Sequence, residues 1–147
     1  MRAMTRWDPF RDLVGIQSEL NRLFGRQFGP MEEDARGSWA PSMDVYEDQE
    51  RYVITLELPG IEPGDVDISV EDSTLRVTGE RKFYRELSED NFHRVERRFG
   101  QFTRSLSLPP TADPNRIDAR FDSGILTIEV PKKEEAKPRR ISIQAKS

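Results

Sequence analysis

The sequence predicts an all-β fold, either a sandwich or a barrel, because strand-like segments recur about every ten residues with turns between them. The clearest segment runs from Tyr52 to Leu58 and alternates large apolar side chains with smaller or polar ones, as in a half-buried strand. A second segment, from Ala119 to Pro131, predicts two antiparallel strands joined by a short turn. Proline ends that segment because it cannot donate a ladder hydrogen bond.

Other strand candidates fill the space between these two segments. They run from Met43 to Tyr46, from Val66 to Val70, from Leu75 to Gly79 and from Phe102 to Leu108. Arg104 shares the apolar face of the last candidate, and an unpaired buried charge is costly. Either a carboxylate or carbonyl partner satisfies it, or the strand edge is wet and the guanidinium reaches solvent.

Composition limits the size of the core and the choice of partners. The chain has 147 residues, enough for one domain with tails, and it is 35% apolar and 34% charged. Its net charge of −4 argues against nucleic acid as a partner. It contains no cysteine, no apolar run long enough for membrane insertion and no export signal at the N-terminus. We therefore expect a cytoplasmic protein.

The N-terminal segment predicts an amphipathic helix that Asp8 caps, with Pro9 in the first turn, and that ends near Leu23. Either it packs on its own domain, or it binds other subunits and foreign apolar surfaces. A linker rich in glycine and proline follows, with a domain boundary near Ala40. The candidate contact residues are Trp7, Phe10, Leu13, Ile16, Leu20, Leu23 and Phe24.

Two segments do not fit the strand pattern. Residues 83–97 are a mostly charged connection, long enough to be either disordered or functional. After Pro131 comes a mixed-charge segment that predicts a flexible tether. Beyond the tether, Ile141 and Ile143 are separated from any local core that they could join.

Several motifs together resemble the small heat shock proteins (the Hsp20 or α-crystallin family) of bacterial type. They are Trp7-Asp8-Pro9-Phe10, Leu58-Pro59-Gly60, Val77-Thr78-Gly79-Glu80-Arg81, Ala119-Arg120-Phe121 with Ser123-Gly124-Ile125-Leu126-Thr127-Ile128, and Ile141-Ser142-Ile143. The resemblance implies an immunoglobulin-like β-sandwich, the α-crystallin domain, at residues 41–131. An N-terminal arm at 1–40 and a C-terminal extension at 132–147 would flank it.

The resemblance also implies an ATP-independent chaperone, a holdase, which binds partly unfolded client proteins. The family forms homo-oligomers from dimers that exchange a strand, here around Asn91 to Val95. Phe92, Val95 and Arg104 would lie at the dimer contact. Ile141 and Ile143 would anchor in a groove on another subunit, lined by Val66, Ile68, Val70, Ala119 and Phe121.

Enzyme chemistry finds little support in the sequence. His93 is the only histidine and has no nucleophile setting or second metal ligand near it, so we expect no catalytic residue, metal or cofactor. Arg97 to Phe102 only faintly resembles the aromatic strand of RNA-binding modules. The main alternative is a co-chaperone of the p23 type, or another interaction module with the same sandwich. Such proteins lack the N-terminal arm, the long loop and the Ile-x-Ile tail.

Overall fold

The computed structural model describes residues 9–28 and 39–145. The chain divides into two compact units, Met1–Glu32 and Glu33–Ser147. The described part of the first unit is helix α1, Pro9–Phe28, which begins with proline as predicted. The helix continues past the predicted end at Leu23, because Phe24 and Phe28 lie one turn apart and stack with their ring centroids at 4.8 Å. Trp7 and Asp8 lie outside the described residues.

Within residues 39–145, strands form two antiparallel sheets. The four-stranded sheet has the order β1-β2-β7-β6 and the three-stranded sheet has the order β3-β4-β5. The strands are β1 (Met43–Glu47), β2 (Arg51–Glu57), β3 (Val66–Glu71), β4 (Thr74–Arg81), β5 (Gly100–Ser107), β6 (Asp118–Asp122) and β7 (Ile125–Pro131). The predicted all-β sandwich is therefore confirmed.

The core lies between the two sheets and follows the alternation of the strands. Ile54 of β2 pairs with Ile128 of β7, and the two side chains are 1% and 0% exposed. From the three-stranded sheet, Leu75 of β4 and Phe102 of β5 are equally buried. The remaining buried apolar side chains of these four strands are Tyr52, Leu56, Val77, Leu106, Leu126 and Val130.

Two tight turns set the register of the hairpins. Ser123 and Gly124, between β6 and β7, both have positive φ, at 52° and 79°. Asp72 and Ser73, between β3 and β4, also both have positive φ. Two consecutive left-handed residues match the twist of the flanking strands, which is why short polar residues and glycine occupy these turns.

Trp39 shows which sheet edges lie on the same side of the sandwich. Its backbone forms a parallel bridge to Phe102, at the edge of the three-stranded sheet, and β1 begins only a few residues later at Met43. The β5 edge and the β1 edge therefore lie on one side. The other two edges, β3 and β6, consequently lie on the opposite side.

Gly79 of β4 lies at the closest approach between backbone and core. A Cβ atom there would stand 2.4 Å from the Asp65 carbonyl oxygen and 2.4 Å from Cζ of Phe102. No real side chain is accommodated at such distances without movement.

We expect Gly79→Ala to lower the free energy of unfolding by about 1 to 3 kcal/mol, because the methyl group overpacks the Phe102 ring. Gly64→Ala is the matched control, since nothing lies within 4 Å of a Cβ at that position. Urea unfolding followed by circular dichroism measures both. Equal stabilities for the two variants would contradict this account of the core.

Candidate assembly and client-binding surfaces

The β3 edge carries apolar side chains that face inwards but are not covered. Ile68 and Val70 lie opposite Val77 and Leu75 of β4, whose side chains are buried in the core. Val66 continues the same face. All three β3 residues are nevertheless only half-buried, because no strand in the described part of the chain lies beyond them.

The β6 edge repeats this arrangement. Ala119 and Phe121 lie opposite Ile128 and Leu126 of β7, both buried, so their side chains are on the inward face. Ala119 is nevertheless exposed and Phe121 half-buried. Every residue that the family resemblance implied as groove lining therefore lies on the inward face of one of two edges, β3 and β6, on one side of the sandwich.

The two isoleucines of the tail have no cover of their own. Ile141 is 85% exposed and Ile143 is 96% exposed, and residues 138–145 have no regular structure. If this segment extends, residues two apart point to the same side. An isoleucine pair of this kind can enter an apolar groove together.

The long connection between β4 and β5 contains no strand; it has one short 3-10 turn, Glu89–Asn91. Its aromatic residues instead contact each other: Phe92 lies 5.4 Å from both Phe83 and Tyr84 between ring centroids. Phe99 joins the same cluster. Val95, in contrast, is 51% exposed. The structure thus places the predicted dimer residue Phe92 in an intramolecular ring cluster.

Arg104 lies on the inward face of β5, opposite Val77, between the buried Phe102 and Leu106. Its side chain is half-buried. Within the described residues it has no hydrogen bond and no ion pair. The expected carboxylate or carbonyl partner is therefore not supplied by the described part of the same chain.

A buried cation–π contact that the sequence did not predict lies at the base of the long connection. The Arg81 guanidinium carbon stands 4.3 Å from the centroid of the Trp39 ring, and its Nη1 donates to the Arg98 carbonyl at 3.1 Å. Burial lowers the pKa of Arg81, and the charge of Arg97 lowers that pKa further. Trp39 itself donates from Nε1 to the Gly100 carbonyl. The only feature of the sequence that could have indicated this contact is a tryptophan within a polar linker.

Helix α1 exposes an apolar surface. Five of its apolar side chains are about half exposed. They are Leu13 (51%), Val14 (60%), Ile16 (54%), Leu20 (58%) and Leu23 (47%). Phe24 is half-buried, and Phe10 lies within the helix. A helix with this much uncovered apolar surface is marginally stable alone, so we expect another surface to cover it.

No catalytic arrangement is present in the described residues. His93 is exposed in the long connection. Residues 9–28 and 39–145 contain no cluster of side chains suited to holding a metal ion. None of the helices described there is long and apolar enough to cross a membrane. The surfaces described are instead uncovered apolar ones, on two sheet edges, on α1 and on the tail of a β-sandwich protein.

Comparison with known proteins identifies the class further. Residues 44–144 match the Hsp20/alpha crystallin family. The chain is 36% identical over 133 residues to small heat shock protein C2 of Rickettsia felis, covering 87% of this chain and 86% of that one. It is 37% identical over 142 residues to the 18.1 kDa class I heat shock protein of Medicago sativa, covering 96% and 95%.

A solved structure agrees with these relatives. The crystal structure of a small heat-shock protein from Xylella fastidiosa, described as having a distinct high order structure, is similar with a TM-score of 0.64 and 36% identity. It covers 74% of this chain and 100% of that one. The chain belongs to the Hsp20/alpha crystallin family. Family membership implies a chaperone role in stress, and it confirms the prediction that the chain is not an enzyme.

Proposed function

We propose that the protein is an ATP-independent holdase, which binds partly unfolded proteins and prevents their aggregation. The exposed apolar surface of α1 carries this proposal. Contacts between subunits can cover such a surface at rest, and warming or competing clients can open them without nucleotide. A co-chaperone with one fixed partner would not need this surface and would ignore heat-softened clients.

We also propose that the resting state is built from dimers that exchange a strand. No strand of the described residues pairs with the outer edge of β1, and a segment around Asn91 to Val95 from a second copy can pair there. A carboxylate from that copy, among Glu86, Glu89, Asp90 and Glu96, would then pair with Arg104. Phe92 would have to leave its ring cluster for this exchange, so the long connection would have two states.

Larger assemblies would form when Ile141 and Ile143 enter the groove between β3 and β6 of a neighbouring subunit. Burying each isoleucine contributes at most about 1.5 to 3 kcal/mol, and ordering the tail offsets part of this. One such contact is therefore weak. Many of them on one assembly hold together through multivalency while each still exchanges.

A cytoplasmic location and the absence of a nucleic-acid partner are predictions carried from the sequence. The net charge of −4 supports the second of them. Cell fractionation tests the first.

Removal of residues 1–38 should leave a folded dimer with little holdase activity, because the sandwich core remains while α1 is lost. The cut spares Trp39, which is 7% exposed and bonded to β5. Aggregation of a heat-softened client, followed by light scattering, measures the activity. In the full chain, Leu13→Ser with Leu20→Ser should reproduce part of the loss, and Gln17→Ser is the polar control. Full protection by the truncated chain would place client binding on the sandwich.

Arg104→Met should raise the dissociation constant of the dimer roughly 30-fold, which corresponds to the loss of about 2 kcal/mol from a charged hydrogen bond. Arg104→Gly should weaken the dimer further, because it also removes the packed stem of the side chain. Arg76→Met is the matched control, since Arg76 lies on the outward face of β4 and is exposed. Sedimentation of diluted samples measures dissociation. An unchanged dissociation constant and melting temperature would show that Arg104 is a solvated residue at the sheet edge and not a dimer contact.

Replacement of both Ile141 and Ile143 by Ser should collapse the assembly towards dimers without unfolding the sandwich. Ser142→Ala with Gln144→Ala changes the same tail segment and leaves both isoleucines in place. Multi-angle light scattering gives the mass, and circular dichroism checks the fold. An assembly of unchanged mass would show that the tail is not the anchor.

A further inference from the structure

The first part of the C-terminal extension is bonded to the sandwich. Lys133 donates its backbone N–H to the Thr111 carbonyl at 2.8 Å. Residues Glu134–Ala136 then form a 3-10 turn, which the backbone N–H of Lys137 closes on the Glu134 carbonyl at 3.1 Å. This differs from the predicted tether, in which the whole segment after Pro131 was flexible. We name residues 132–137 the tail root.

Lys137 fixes the end of the tail root to the β1–β2 turn. Its Nζ lies 2.9 Å from Oε1 of Glu134 and 3.4 Å from Oε2 of Glu50. Only 19% of the Lys137 side chain is exposed. The hydrogen bond between Lys137 and Glu134 lowers the pKa of Glu134 and raises the pKa of Lys137, so both side chains stay charged near neutral pH.

Lys132 and Arg116 hold the beginning of the tail root. The backbone N–H of Lys132 donates to the Glu50 carbonyl at 2.9 Å, and its Nζ lies 5.4 Å from the centroid of the Tyr52 ring. Arg116 donates from Nη2 to the Lys132 carbonyl at 3.3 Å and lies 3.7 Å from Glu134. The tail root is thus bonded to two separate loops of the sandwich.

We propose that Glu50, Glu134 and Lys137 are positioning residues that fix the length and the direction of the free tail, a proposal that rests on the proposed anchoring role of Ile141 and Ile143. A tether free from Pro131 onwards would let Ile141 reach about 33 Å. With the tail root held, the reach from Lys137 falls to about 13 Å. Ile141 then reaches only a neighbouring subunit whose groove lies close to the β1–β2 turn of this subunit. The ion pairs therefore select which neighbour the tail binds.

Lys137→Met is the variant that tests this, because it keeps the stem and removes both ion pairs. Arg139→Met is the matched control, since Arg139 is exposed in the free tail and has no ion pair in the described residues. Hydrogen exchange should speed up by about tenfold at the amides of Lys133, Ala136 and Lys137 in the first variant and not in the second. Native mass spectrometry should show a broader range of subunit numbers in the first variant alone.

Salt provides an independent measurement, because exposed ion pairs are screened. Raising the salt concentration to about 0.5 M should speed up exchange at the tail-root amides of the unmodified protein, and should change those of Lys137→Met less, because both ion pairs of Lys137 are already absent there. Tail-root amides that exchange as fast as those of residues 139–145 in the unmodified protein would overturn the proposal. So would faster exchange in Lys137→Met without any change in subunit numbers.

The double Ser variant of Ile141 and Ile143 separates this proposal from the proposed function. If anchoring holds, that variant forms only dimers, and adding Lys137→Met changes its exchange rates but not its mass. If the double Ser variant assembles normally, the anchoring role fails, and positioning of the anchor fails with it even where the tail-root amides remain slow.

Discussion

Two open sheets have four edges, and residues 9–28 and 39–145 of one copy do not cover them all. Each uncovered edge leaves backbone donors and acceptors, or inward-facing side chains, without a partner. Trp39 is hydrogen-bonded to the β5 edge, but no described strand lies beside the outer side of β1. At the β3 and β6 edges, Ile68 and Phe121 are only half-buried. The proposed roles of the long connection and of the tail follow from this constraint, because each would offer matching groups to an open edge of another copy.

The strength of each contact matters as much as its existence. A chaperone that hides its apolar surface permanently cannot bind clients, and one that never hides it aggregates. Contacts worth a few kcal/mol, repeated around an assembly, satisfy both needs. The β1–β2 hairpin is central to this arrangement, since its outer edge is a proposed dimer contact and its turn holds the tail root through Glu50. Dimer geometry and tail direction would therefore be set by the same hairpin.

Much of the fold could be predicted because local chemistry determined it. Period-two alternation placed the strands, and short polar residues with glycine placed the turn at Ser123 and Gly124. The same alternation put Val66 and Ala119 on inward faces. Contacts between distant segments could not be predicted. Arg81 stacks on the Trp39 ring only because tertiary packing brings them together, and Lys137 forms an ion pair with Glu50 of the β1–β2 turn. A mixed-charge segment looks solvated in sequence whether or not its charges find fixed partners.

We propose that other copies of the chain complete the sheet edges that one copy leaves open. Hydrogen exchange on the intact assembly tests it most directly, at the outward-pointing amides of β1 and at the amides of residues 141–143. We predict that both sets exchange at least about 100-fold more slowly than an unstructured peptide. The tail amides should speed up when the assembly dissociates to dimers, and the β1 amides when the dimers dissociate to monomers. Exchange at the rate of an unstructured peptide in the intact assembly, at β1 and in the tail, would contradict the account.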